Sequence, residues 1–194
     1  MSYRLFLLVF VMITNVDGLK VLSNTPQPMT GLLIPKMLGQ WFAVHRKPPC
    51  TWSGSKEFVN LGIFFKYEGK DTISSQITWG DEFCNKVFAK DFMESPPGVL
   101  LKKDSFGDNI SGKAVIIATD YKTYLIKWGC TKFSVFGEKC DDPYVVVLTR
   151  VPKPTKFTLA NINVVLSKTW GLTIKDLDMV LQTGTGACYG GKKI

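Results

Sequence analysis

Along most of its length the chain alternates apolar and polar residues in short runs separated by turn residues, the pattern of half-buried strands. Gln40 to Arg46 is the first run, and Glu57 to Tyr67, rich in Phe, Val and Ile, the second. Glu68-Gly69-Lys70-Asp71 reads as a hairpin turn into Thr72 to Trp79, where Ile73, Ile77 and Trp79 alternate with Thr72, Ser74, Gln76 and Thr78. Gly80-Asp81 turns the chain into Phe83 to Met93, and Pro96-Pro97-Gly98 breaks it before Val99 to Lys103. Ser111 to Thr119, Tyr124 to Lys132 and Tyr144 to Val151 complete eight strand candidates.

One segment breaks the two-residue period. After Pro152 and Pro154, Phe157, Ile162, Val165, Leu166 and Trp170 fall near helical spacing, and Gly171 stands where a helix stops. A short final strand around Leu177 to Leu181 follows. Strands joined by tight turns imply an antiparallel meander, and eight of them can close on themselves and leave no exposed edge. The expected fold class is therefore all-β: an eight-stranded antiparallel up-and-down β-barrel with one C-terminal α-helix packed outside. No internal repeat, low-complexity stretch or second domain is evident.

The N-terminus changes the setting. Arg4 precedes the apolar run Leu5 to Ile13, and Val16 and Gly18 supply the small residues of a cleavage site. Residues 1–18 read as a secretory signal peptide, too short to span a bilayer, and residues 19–194 as a single exported domain. The mature chain of about 175 residues can bury a proper core. Five cysteines in an exported chain suggest disulfides, and the odd count leaves at least one thiol over. There is no C-x-x-C and only one histidine, His45, so no metal site is expected. The net charge of +8 is spread without long basic runs, which reads as a basic surface and not as a nucleic-acid site.

Three short motifs sharpen the fold. Gly39-Gln40-Trp41 opens the first strand, Thr119-Asp120-Tyr121 forms the turn between the sixth and seventh, and Arg150 ends the eighth. In this order and spacing they resemble the lipocalin family over essentially the whole mature chain. The resemblance implies that Arg150 lies across Trp41 and closes the base, as a guanidinium can stack on an indole while its donors cap carbonyls. It also implies that Cys84 pairs with Cys188 to tie the tail to the barrel. Cys130 and Cys140 flank the connection between the seventh and eighth strands, where a local disulfide would fit.

Cys50 is then left over, in Pro48-Pro49-Cys50-Thr51-Trp52, the loop expected at the barrel mouth. This spacing is similar to the α1-microglobulin-like branch, whose mouth thiol is associated with redox chemistry, chromophore or haem capture and covalent partners. An unreactive thiol, or pairing of Cys50 with Cys130 or Cys140, is the alternative. The basic residues tied to redox activity in that branch fall at Asp104, Thr131 and Val146 here, so that activity is not carried over. The nucleophilic cysteine of lipocalin-type prostaglandin synthases falls at Ile63. With one histidine and no Gly-rich phosphate loop, no catalytic residues are expected.

Registering the strands on the three motifs sends Ala43, Gly62, Phe64, Gln76, Thr78, Val87, Ala89, Leu100, Lys102, Ala114, Ile116, Leu125, Lys127, Tyr144, Val146 and Leu148 inward. Of these, Ala43, Phe64, Thr78, Val87, Leu100, Lys102, Ala114, Ile116, Leu125, Lys127, Tyr144, Val146 and Leu148, with Cys50, are the expected calyx residues. Most are apolar or small, which suits a hydrophobic ligand. Lys102 and Lys127 inside a barrel would either meet an acidic group on that ligand or snorkel to the rim. His45, in the strand of Trp41, could ligate a haem iron, although a lone strand histidine is more often structural. Asn109-Ile110-Ser111 is a glycosylation sequon.

The expected function is a secreted, extracellular carrier of a small, mainly hydrophobic ligand, with an acidic group on it as one option, monomeric or weakly dimeric, with no cofactor, nucleic acid or membrane span. The alternatives are a thiol-dependent scavenger acting through Cys50 and a protein linked through Cys50 to a covalent or receptor partner.

Overall fold

The computed structural model describes residues 22–48, 58–94, 97–103, 110–132, 139–183 and 188, apart from the side chains of residues 94, 102, 103, 110 and 111. Residues 1–18, read above as a signal peptide, and Cys50 and Asn109 lie outside the described residues.

A one-turn helix α1 (Ile34–Met37) leads into strand β1 (Gly39–Lys47). Strands β2 (Gly62–Gly69), β3 (Thr72–Trp79), β4 (Asn85–Glu94), β5 (Val99–Lys103), β6 (Ile110–Thr119), β7 (Tyr124–Cys130) and β8 (Pro143–Thr149) follow as an antiparallel meander. Helix α2 (Lys156–Trp170) and the two-residue strand β9 (Asp178–Met179) end the described fold. Because β1 pairs with both β2 and β8, the sheet closes into a barrel. β9 pairs with β1 at His45 and Arg46. Two disulfides add to this frame, Cys84–Cys188 and Cys130–Cys140, the pairs expected.

The sheet has an apolar cluster on each side. Inside, Trp41, Phe65, Ile73, Leu100, Ile116, Leu125 and Leu148 fill the barrel toward its base. Outside, α2 lays Ile162, Leu166 and Trp170 over Val44, Val115, Ile126, Trp128, Val145 and Val147. Those helix residues recur every four positions, so one face is buried and the opposite face is solvated. Thr155 caps the helix by accepting the Thr158 amide at 3.1 Å, and Gly171 ends it in the left-handed region at φ 69°.

Three differences from the sequence reading matter for the site. The second strand starts at Gly62 and not at Glu57, because Asn60 (φ 54°) turns the chain just before it. The facing of β2 and β3 is inverted. Trp41 stands opposite Ile63, so Ile63 and Phe65 share its inward face, and Ile73, Ser75 and Ile77 follow on β3. Gly62, Phe64, Gln76 and Thr78 therefore face outward. Counting across the connection from β1 loses the one-residue parity, and β2 reads Ile63-Phe64-Phe65, which gives no alternation to correct it. Third, the register of β1 shifts between Ala43 and His45. That bulge turns His45 outward and brings Arg46 inside.

Candidate functional site

The base of the barrel is closed by a dense set of directed contacts. The Arg150 guanidinium lies 3.7 Å from the Trp41 ring centroid. Its three nitrogens donate to the carbonyls of Gln40 (2.9 Å), Lys36 (3.0 Å) and Tyr121 (3.2 Å). The Trp41 indole N–H donates to the Met37 carbonyl at 2.7 Å. Gly39 holds φ at 92°, and a Cβ there would meet Arg150 Nη1 at 3.5 Å. A side chain would fit beside the arginine but would be strained by its own backbone. Asp120 Oδ1 accepts the amides of Lys122, Thr123 and Tyr124. Burial pushes the Asp120 carboxyl up, but hydrogen bonds from Thr123, Tyr124 and Lys122 outweigh it and hold it below its ordinary value.

A cavity of about 190 Å³ lies between β1, β2, β3, β4, β7 and β8. Leu61, Ile63, Ile77, Val87, Tyr144 and Val146 give it apolar walls, and Phe58 and Trp79 stand together with ring centroids 5.4 Å apart. Arg46 lies over Phe58 at 4.4 Å. On β7, Gly129 makes room for the ring of Tyr144, since a Cβ there would come within 2.1 Å of it.

Lys127 projects into this cavity from the middle of β7 and is 3% exposed. Its ammonium lies 5.8 Å from the Phe65 ring centroid and has no hydrogen bond or ion pair among the described residues. A second charge, Asp91, is fully buried on β4. Its Oδ2 accepts from Ser75 Oγ at 3.3 Å, while Oδ1 has no partner among the described residues.

No protein-family model and no curated protein matches the sequence. Solved structures do. The allergen Per a 4 from cockroaches superposes with a TM-score of 0.64 at 18% identity, covering 87% of this chain and 99% of its own. Insecticyanin from the tobacco hornworm Manduca sexta gives 0.65 at 14% identity, covering 81% and 85%. Ex-FABP, a siderocalin that functions through dual ligand specificities, gives 0.59 at 14% identity, covering 76% and 95%. The chain has the lipocalin fold.

Within that fold the expected calyx residues divide into four groups. Val87, Lys127, Tyr144 and Val146 line the cavity. Ala43, Leu100, Ala114, Ile116, Leu125 and Leu148 face inward but belong to the packed core nearer the base, so the lipocalin cup is shallower than the sequence reading assumed. Phe64 and Thr78 correct to the outer face, Phe64 being 43% exposed. Cys50 lies outside the described residues, as does the side chain of Lys102, whose backbone stands opposite Asp91.

The cavity also contains residues the sequence reading missed. Arg46, Ile63, Ile77, Trp79 and Phe58 all line it. The Ile73, Ile77 and Trp79 alternation was visible in β3 and would have placed that strand correctly. Nothing in the sequence announced the β1 bulge that admits Arg46. His45 is turned away from the calyx into a groove of about 250 Å³ beside Met179 and Pro152, where it cannot reach a haem inside the barrel. Burial there lowers its pKa below the ordinary value of 6.5, and its buried Nδ1 has no partner among the described residues.

Proposed function

We propose that this chain is a secreted lipocalin carrier that binds a small, slim, mainly hydrophobic molecule bearing an acidic group. The observation that carries the reading is Lys127: an almost fully buried ammonium in an apolar cavity with no ion pair among the described residues. Desolvating a cation is costly unless an anion or a wet opening relieves it. A ligand carboxylate would supply the missing charge, with Arg46 as a second cation nearer the mouth. The apolar walls would hold the hydrocarbon. The cavity is smaller than the ~300–1,000 Å³ of typical ligand sites, which favours one acyl or isoprenoid chain over a tetrapyrrole.

Similarity of fold to a siderocalin with dual ligand specificities and to insecticyanin supports ligand binding in the barrel and leaves the ligand to this chain's own side chains. The two disulfides suit an oxidising, extracellular setting. Kinship with the α1-microglobulin-like branch rests on the Cys50–Trp52 spacing alone. The protein acts by binding, not by catalysis.

Organic extraction of the secreted protein followed by mass spectrometry tests the reading, with fatty-acid titration of the Trp79 fluorescence as a second arm. A co-purifying long-chain acid, or a saturable signal that Trp79→Phe removes, is expected. An empty extract together with no response to any acid would overturn it.

A further inference from the structure

The barrel wall is covered unequally. α2 packs on the outer face of β1 and β6 to β8, whereas no described element covers the outer face of β2 to β4. There the register aligns three rows across the strands: Gly62–Thr78–Lys86, Phe64–Gln76–Phe88 and Lys66–Ser74–Lys90. Phe88 is 71% exposed. The central row thus presents two aromatic rings to solvent on strands about 10 Å apart. The flanking rows end in exposed lysines of β4, which alternates Lys86, Phe88 and Lys90 outward with Val87, Ala89 and Asp91 inward. Phe83, 79% exposed in the turn before β4, continues the apolar surface toward the mouth.

The charge on this face is nearly all of one sign. Lys86 and Lys90 make no ion pair among the described residues. Glu68, at the base end of the face, is already held by Lys66 at 3.1 Å and Ser74 at 2.8 Å. Glu82 stands exposed beside Phe83. Elsewhere on the same face β3 offers Ser74, Gln76 and Thr78, the polar residues a solvated wall calls for, so Phe64 and Phe88 depart from the local rule.

We propose that this face docks on an anionic lipid surface. Phenylalanine has no polar atom to satisfy and can enter the acyl boundary, while long lysine stems reach headgroup anions beside it. A convex barrel wall has no groove for a peptide. Protein interfaces favour Tyr, Trp and Arg and are poor in Lys, the reverse of what stands here. The net charge of +8 adds long-range attraction. Val87, between Lys86 and Phe88, lines the cavity, so docking sets one wall of the calyx against the bilayer.

Co-sedimentation of the full chain with phosphatidylcholine vesicles, with and without phosphatidylserine, tests this. Salt-sensitive binding to the serine-containing vesicles alone is expected. Phe64→Ser with Phe88→Ser, and Lys86→Glu with Lys90→Glu, should each weaken it at least about tenfold with melting temperatures unchanged. The control pair Lys156→Glu with Phe157→Ser, on the exposed side of α2, should leave it intact. Equal loss in the control pair, equal binding to phosphatidylcholine alone, or no vesicle binding would overturn the proposal. So would equally tight capture by polyglutamate, which would point to an acidic protein partner instead.

Discussion

The two ends of this barrel handle charge in opposite ways. At the base, Arg150 stacks on Trp41 and places all three nitrogens on named carbonyls, and Asp120 accepts three backbone amides. In the mouth half, Lys127 is as deeply buried as much of the core and has no such partners among the described residues. A charge whose hydrogen bonds are all met closes a structure; a buried one without them leaves room for something to arrive. The contrast separates what holds the fold from what awaits a ligand.

Substitution of the two tryptophans should break the comparison most visibly. Trp41→Ala is expected to lower unfolding free energy by about 3–5 kcal/mol in urea denaturation, as for other fully buried aromatic residues. Trp79→Ala, partly exposed at the cavity, should cost about 1 kcal/mol and weaken ligand binding instead. Equal losses would mean that the mouth is core like the base.

Arg150→Lys comes next. It keeps the charge but loses the planar fork that reaches three carbonyls and the indole, so about 2 kcal/mol should go. A melting curve identical to the parent would show that charge alone closes the base.

Lys127→Met should have the opposite sign, raising stability of the ligand-free protein by about 1 kcal/mol because a desolvated cation is replaced by a thioether of similar length. Calorimetry that shows destabilisation would mean that the lysine is already satisfied.

The smallest effect is that of His45. Its folded pKa lies below 6.5, so the neutral form is favoured in the native state. Its contribution is fully present above 6.5 and is lost as the pH falls below that value toward the folded pKa. Melting temperatures taken from neutral to mildly acid pH should drop more for the parent than for His45→Gln. Parallel curves would show that His45 is solvated.

The same contrast governs what the sequence disclosed. Gly39, Trp41, Thr119, Asp120, Tyr121 and Arg150 were legible because the base needs those residue types: a positive φ, a planar cation over an indole, a carboxylate under a turn. The helix was legible from its spacing and from Gly171. The cup was legible only in part. Lys127 on β7 and Tyr144 and Val146 on β8 follow strands whose alternation runs unbroken from the base. Phe64 and Thr78 were misplaced because one residue of parity was lost between β1 and β2, and Arg46 was missed because a bulge leaves no mark in composition.

A single titration tests the central claim most directly. Trp79 fluorescence is followed while a straight-chain fatty acid and the alcohol of equal length are added to the parent protein and to Lys127→Met. The expected result is that the parent prefers the acid by about ten- to a hundredfold and that Lys127→Met binds both alike. If the parent binds acid and alcohol equally, or if the substitution leaves the preference in place, Lys127 does not hold an acidic ligand.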